Sequence, residues 1–318
     1  MDYRIQYASL LLRESHRLET VGEYARALEA AQKALWALDA PGEDGSAAGS
    51  VEMRFEAWTL TGALLRQLAR YAEAEPVLRR CLAMAVESFG EADDRTSMAR
   101  NQLGVLFKYT GNFEEAEDLY RKALSHLTAR HGEMHGMVAT LEHNLGGLFH
   151  ARGDYEQAEP HGRKAWEINR ALLGEDDVRT IADAAAYAGI LDGLKRFDES
   201  EKIYRRALEA FERHYGHEHY EVAVNLNNLA NVRFAQGDLA GAEQLMREAL
   251  SVKEKILGAD HPDTALTMNS LGVIVQKQGR SQEARALFEL ALGHLEARLG
   301  TDHPRTRMVR GNLAAVSG

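Results

Sequence analysis

Residues 90–132 read GEADDRTSMARNQLGVLFKYTGNFEEAEDLYRKALSHLTARHG. From Thr96 to Tyr109, Leu103 and Phe107 fall one turn apart on one face of a helix. Gly111 stops that pattern, as a residue able to take the left-handed conformation that closes a helix. Asn112, with Glu115 three residues on, predicts a side-chain cap at the start of a second helix. That helix carries Phe113, Ala116, Tyr120, Ala123 and Leu124 at three- and four-residue spacing, an apolar stripe on an otherwise charged surface. Gly132 ends it. The stretch is a helical hairpin, and alone it is too small to bury its apolar faces.

The rest of the chain repeats it. Glycine recurs at Gly90, Gly132, Gly174, Gly216, Gly258 and Gly300, at intervals of 42. Ala74, Ala116, Ala158, Ser200, Ala242 and Ala284 form a second column with the same spacing. Cys81, Ala123, Ala165, Ala207, Ala249 and Ala291 form a third. A fourth, Gly62, Gly104, Gly146, Ala188, Ala230, Gly272 and Ala314, lies in the first helix of each copy and faces the small residues of the second. Small residues in facing columns let two helices approach closely, where larger ones would overpack. Each hairpin then buries its remaining surface against the next copy. A degenerate first copy is legible in GEYARALEAAQKALWAL, residues 22–38, and APGEDGSAAGS follows as a Gly/Ser-rich insertion. The expected organisation is a degenerate first repeat over 1–39, a flexible inserted loop over 40–50, six 42-residue repeats over 51–300, and a capping helix over 301–318. In the fourth copy Gly162 stands where others have Leu78, Tyr120, Tyr204, Met246 or Phe288. That gap leaves room for a ligand, or is compensated by Trp166 one turn later.

The small residues Gly104, Ala116 and Ala123, with Tyr120 and Phe107 as large partners, resemble the tetratricopeptide repeat. That repeat usually spans 34 residues. The longer unit here, with LGADHPDTA, NSLG and QGRSQEARALFELAL, resembles the kinesin-light-chain type over about residues 50–316. The resemblance implies an all-α, right-handed superhelical solenoid of about seven helix-turn-helix repeats plus a C-terminal half-repeat. It is specific for fold and silent on partner, and nothing upstream resembles the heptad coiled coil of a kinesin light chain.

Composition narrows the function. The net charge of −10 opposes a nucleic-acid ligand, which needs a basic stripe to displace counterions from phosphate. The single cysteine excludes an intrachain disulfide and suits a reducing compartment. No apolar run has the length of a membrane span. A cytoplasmic protein with no cofactor and no membrane partner is expected, with a monomer favoured.

The constellations that suggest chemistry dissolve into the repeat. His217-Glu218-His219 looks like a metal cluster. However, His219 aligns with Asp93, His135, Asp177, His261 and His303, all before the first helix of a copy, where a polar side chain caps the helix. His131 and His135 straddle a loop glycine. Cys81 occupies an alanine column and reads as a buried small residue. No nucleophile-elbow, phosphate-loop or HExxH motif occurs. No metal and no catalytic residue is expected.

Amides remain. Asparagine is a mediocre helix former, yet it recurs mid-helix at Asn101 and Gln102, His143 and Asn144, Asn227 and Asn228, Asn269, and Asn312. In tetratricopeptide solenoids the matching positions line the concave face of the first helices, and the resemblance implies peptide binding there. A carboxamide both donates and accepts, so a ladder of them suits the backbone of an extended segment. The same amides could instead bridge neighbouring helices. Further along the same helices come Arg66, Lys108 and His150, with Tyr109 and Asn231 beside the series and Phe234 as an apolar anchor. The expected function is a non-enzymatic scaffold that binds a protein or peptide segment of acidic or C-terminal carboxylate character. The alternative is a regulatory or sensor subunit, controlling for example a caspase-like protease or a nucleotide-dependent switch.

Overall fold

A computed structural model describes residues 3–39 and 51–317; the loop expected over 40–50 lies outside them, as do Met1, Asp2 and Gly318. The described residues form fifteen α-helices and no strand. The helices are α1 (Tyr3–Thr20), α2 (Tyr24–Asp39), α3 (Val51–Gln67), α4 (Tyr71–Phe89), α5 (Asp94–Thr110), α6 (Phe113–His131), α7 (Gly136–Arg152) and α8 (Tyr155–Leu173). They continue as α9 (Val178–Gly193), α10 (Phe197–Tyr215), α11 (Tyr220–Ala235), α12 (Leu239–Leu257), α13 (Pro262–Lys277), α14 (Ser281–Leu299) and α15 (Pro304–Ser317). Odd-numbered helices are the first (A) helix of each copy and even-numbered helices the second (B). The chain divides into two compact units, residues 1–154 and 155–318.

Within each unit, helices that follow one another in the chain pack together, an A helix on its own B helix and a B helix on the A helix of the next copy. The facing small and large columns make the first of these contacts. A Cβ on Gly62 would lie 2.3 Å from Leu78, one on Gly104 2.7 Å from Tyr120, and one on Gly272 2.7 Å from Phe288. Tyr120, Tyr204 and Phe288 are among the largest fully buried side chains, each seated against a small residue of the preceding helix. Gly162 breaks this series, and its space is not open. A Cβ there would lie 2.5 Å from Ile190 and 3.4 Å from Tyr187, so α9 fills the position from the next copy. No ligand room remains at Gly162. Trp166, expected to compensate, instead stacks on Tyr187 at 5.8 Å.

Two glycine columns differ in what they demand. Gly111 and Gly153, which end A helices, have φ of 84° and 77° with ψ of 7° and 13°, the left-handed helical region. Non-glycine residues enter that region at modest cost, and the same column holds Ala69 at φ 56° and Lys195 at φ 59°. The column that ends B helices lies elsewhere. Gly90, Gly132, Gly216, Gly258 and Gly300 have φ between 80° and 91° and ψ between 155° and 176°. Only glycine populates that region readily, which is why no other residue enters the column.

The helix starts divide in the same way. Before the A helices, Asp93, His135, Asp177, His219 and His261 hold extended backbone, and each side chain accepts the N–H two residues on. Before the B helices, Arg70, Asn112, Arg196 and Arg280 have ψ near 60° and make no side-chain cap. The cap expected at Asn112 is therefore absent. Its backbone N–H is spent on Phe107 O, closing α5, and the resulting ψ turns the side chain away from the first turn of α6. Asp238 does cap its B helix, accepting from Gly241 N.

Candidate functional site

The A helices present the amide columns at successive copies, and the columns are offset by one residue where they meet. In the first unit Asn144 of α7 donates Nδ2 to Asn101 Oδ1 of α5 at 2.7 Å. In the second unit Asn312 of α15 donates to Asn269 Oδ1 of α13 at 2.8 Å. Each bond joins residues 43 apart, one more than the repeat, because the second helix meets its neighbour one position further along. Elsewhere in the second unit the column is open. Ser270, opposite Asn227 by the same offset, bonds to Leu266 O of its own helix. Ala185, opposite Asn228, has no polar side chain. Asn227 and Asn228 are half-buried and have no side-chain hydrogen-bond partner among the described residues. Asn231 is exposed one turn further along α11.

The first unit also gathers the cationic positions. Arg66 of α3 and Lys108 of α5 both lie over the exposed ring of Tyr109, at 6.0 and 5.7 Å from its centroid. Tyr71 stacks on that ring from α4 at 6.2 Å. Neither cation has a carboxylate partner among the described residues, although the chain carries a net charge of −10 and ion pairs dress its surface. Both are half-buried, and Arg66 Nε is buried without an acceptor. Burial lowers the Lys108 pKa from its ordinary value, and the nearby Arg66 charge lowers it further. The Tyr120 hydroxyl is buried beside them, also unpartnered, and its pKa is raised by burial. Asn101, Gln102, His143 and Asn144 are half-buried on α5 and α7, while His150 is exposed.

Phe234, expected as an apolar anchor, is half-buried and packs against the cluster of Ala230, Met246, Leu271 and Phe288. Part of its ring already belongs to the core. At the position equivalent to Lys108, α9 carries Asp192, whose Oδ1 is buried without a partner and whose pKa burial raises.

The His-Glu-His motif is taken apart by its neighbours. His217 Nδ1 lies 3.0 Å from Glu212 Oε1, Glu218 accepts from Lys255 Nζ at 2.6 Å, and His219 Nδ1 caps α11 while its ring stacks on Tyr215 at 4.0 Å. Among the described residues no group of three or more His, Cys, Asp or Glu converges as metal ligands would. Cys81 is buried beside Thr59, and burial pushes its thiol up to about 11, away from the thiolate a nucleophile needs.

A run of helix pairs with this register defines a helical-repeat protein. The model of the tetratricopeptide repeat matches residues 54–129, 137–213, 180–255 and 221–297, and the chain belongs to that family. Proteins of the family generally mediate protein–protein interactions, and the fold is generally a non-catalytic scaffold. Among solved structures, BtubC (BKLC) from P. vanneervenii is 25% identical, with a TM-score of 0.57, over 76% of this chain and 94% of that one. A kinesin-light-chain candidate of Podosopora anserina with nearly identical TPR-like repeats is 18% identical, with a TM-score of 0.54, over 63% of this chain and 95% of that one. A Rap protein complexed with competence and sporulation factor aligns over 98% of this chain and 87% of that one, at 16% identity and a TM-score of 0.64. The comparison with curated proteins found no match. No helix among the described residues is long and apolar enough to cross a membrane.

Proposed function

We propose that the chain is a non-enzymatic, cytoplasmic interaction module whose A-helix faces hold a protein segment. The observation that carries this reading is the Arg66–Lys108 pair. Two cations set side by side, half-buried and without counter-charges, cost stability, and a carboxylate from outside relieves that cost. The segment therefore brings an acidic side chain or a C-terminal carboxylate to the first unit. The second unit carries a site of its own, in which Asn227 and Asn228 offer amide groups to the main-chain N–H and C=O of an extended segment, independent of its sequence.

A short acidic peptide with a fluorophore at its N-terminus, prepared with a free and with an amidated C-terminus, tests this by anisotropy. Binding should weaken about tenfold in Lys108→Met and in Arg66→Met, and should fall with added salt. Affinity that is unchanged in both variants while the fold stays intact rules the site out. A preference for the free over the amidated form assigns the carboxylate to the C-terminus rather than a side chain.

A further inference from the structure

A cavity of about 230 Å³ opens in the second unit between α8, α9 and α10, walled by Trp166, Ile181, Ile203 and Ala207. One residue of its wall is unusually small. In the other copies the position equivalent to Ala184 holds Trp58, Arg100, Glu142, Leu226, Met268 and Arg310, all large. Ala184 leaves its part of the wall open, and the equivalent groove of the third copy stays open around Arg100.

The equivalent niche two copies earlier shows what the space is shaped to hold. There Arg100 is buried, and its guanidinium donates to Glu91 O at 2.9 Å, meets His126 Nδ1 at 2.9 Å and pairs with the Glu91 carboxylate. Arg310 repeats the contact, donating to Thr301 O at 3.4 Å and to Glu296 Oε1 at 2.7 Å. Thr301 and Glu91 occupy the same position of the repeat, just after the loop glycine. In the fifth copy that position is Glu175, at the rim of the cavity. Arg100 has become Ala184 and His126 has become Ala210, while the carboxylate remains. Glu175 has no ion-pair partner among the described residues. The wall opposite has gained Trp166 in place of Leu82, and Arg170 already lies 5.1 Å over its indole, so that surface accepts a guanidinium. Of the other arginines at the rim, Arg213 is tied to Asp176 at 3.0 Å, and Arg206 lines the cavity together with the carboxylate of Glu209.

We infer that this cavity receives the guanidinium of an arginine side chain presented by a binding partner, in the place that the Arg100 guanidinium takes beside Glu91 in the third copy. Its aliphatic stem runs along Ile181 and Ile203, and its head pairs with the Glu175 carboxylate and carbonyl. The site shares no residue with the Arg66–Lys108 cluster or the Asn227–Asn228 pair, so its success or failure is separate from theirs.

The test uses the full chain, with the Trp166 indole resonance as reporter and N-acetyl-L-argininamide as probe. N-acetyl-L-citrullinamide serves as the neutral isostere and succinate as the anionic control. Saturable shifts are expected with the arginine probe and none with the other two. Ala184→Arg fills the cavity from within and should abolish the shifts and raise Tm; Glu175→Gln should weaken binding about tenfold. No saturable shift with the arginine probe, equal binding of the citrulline analogue, a preference for succinate, or full binding by Ala184→Arg overturns the inference. Should Ala184→Arg fail to fold, unchanged affinity in Glu175→Gln overturns it as well.

Discussion

Asn144 and Asn101 hold α7 to α5 through a single directional bond, with Asn144 as donor and Asn101 as acceptor. A half-buried amide pair of this kind fixes the register between successive A helices. Its direction makes the two positions unequal. Asn101→Asp keeps an acceptor and should leave stability nearly unchanged, whereas Asn144→Asp sets a carboxylate against a carbonyl oxygen and should cost about 1–2 kcal/mol. Urea denaturation of the two variants checks the asymmetry, and equal losses would show that the bond has no preferred direction.

Lys108 should trade stability against binding. Burial and Arg66 both disfavour its charged form, so its folded-state pKa lies below the unfolded value. The folded state therefore gains stability from this group as pH rises through the lowered pKa toward 10.5. Lys108→Met should be more stable than the parent at neutral pH, with the gain shrinking in alkali, while losing the acidic peptide. Thermal melts across pH, paired with the anisotropy titration, measure both sides.

Asp192 gives a pH signature of opposite placement. Burial raises its pKa, so the stability it contributes is fully present below the unfolded value of 3.8 and is lost as pH climbs through the raised one. Asp192→Asn should stabilise the protein at pH 7 and become neutral at pH 3. A gain that persists in acid would point to packing instead of charge.

The two glycine columns should answer substitution with opposite signs. Gly216→Ala forces alanine to φ 80° and ψ 168° and should cost about 1–3 kcal/mol. Lys195→Gly relieves a left-handed lysine at φ 59°. The strain of about 1–2 kcal/mol exceeds glycine's extra chain entropy of about 0.5–1 kcal/mol, so a gain of roughly 0.5 kcal/mol is expected. Differential scanning calorimetry resolves both.

Close packing across a copy predicts a rescue. Gly104→Ala places a Cβ 2.7 Å from the Tyr120 ring and should cost about 1–3 kcal/mol. The sixth copy already pairs Ala230 with Met246, both fully buried in one cluster. Adding Tyr120→Met to Gly104→Ala should recover part of the loss, and a double-mutant cycle measures the coupling.

The period of 42 determined the helices, because a repeated spacing reports the same local contacts many times over. The Gly104 column, expected to face the small residues of the second helix, instead meets Tyr120 and its large equivalents. The period also assigned His219 to a cap, since Asp93 and Asp177 hold the same place. Spacing alone could not decide which side chains meet across copies. That depends on the one-residue offset between neighbouring A helices, which closes Asn101–Asn144 and Asn269–Asn312 and leaves Asn227 and Asn228 open. Ala184 stands where the other copies carry large residues, but the cavity beside it is set by how α8, α9 and α10 pack. Sequence thus determined which residues recur. Only packing in three dimensions decided which of them satisfy one another, because hydrogen bonds and voids depend on distances between helices that no period along the chain contains.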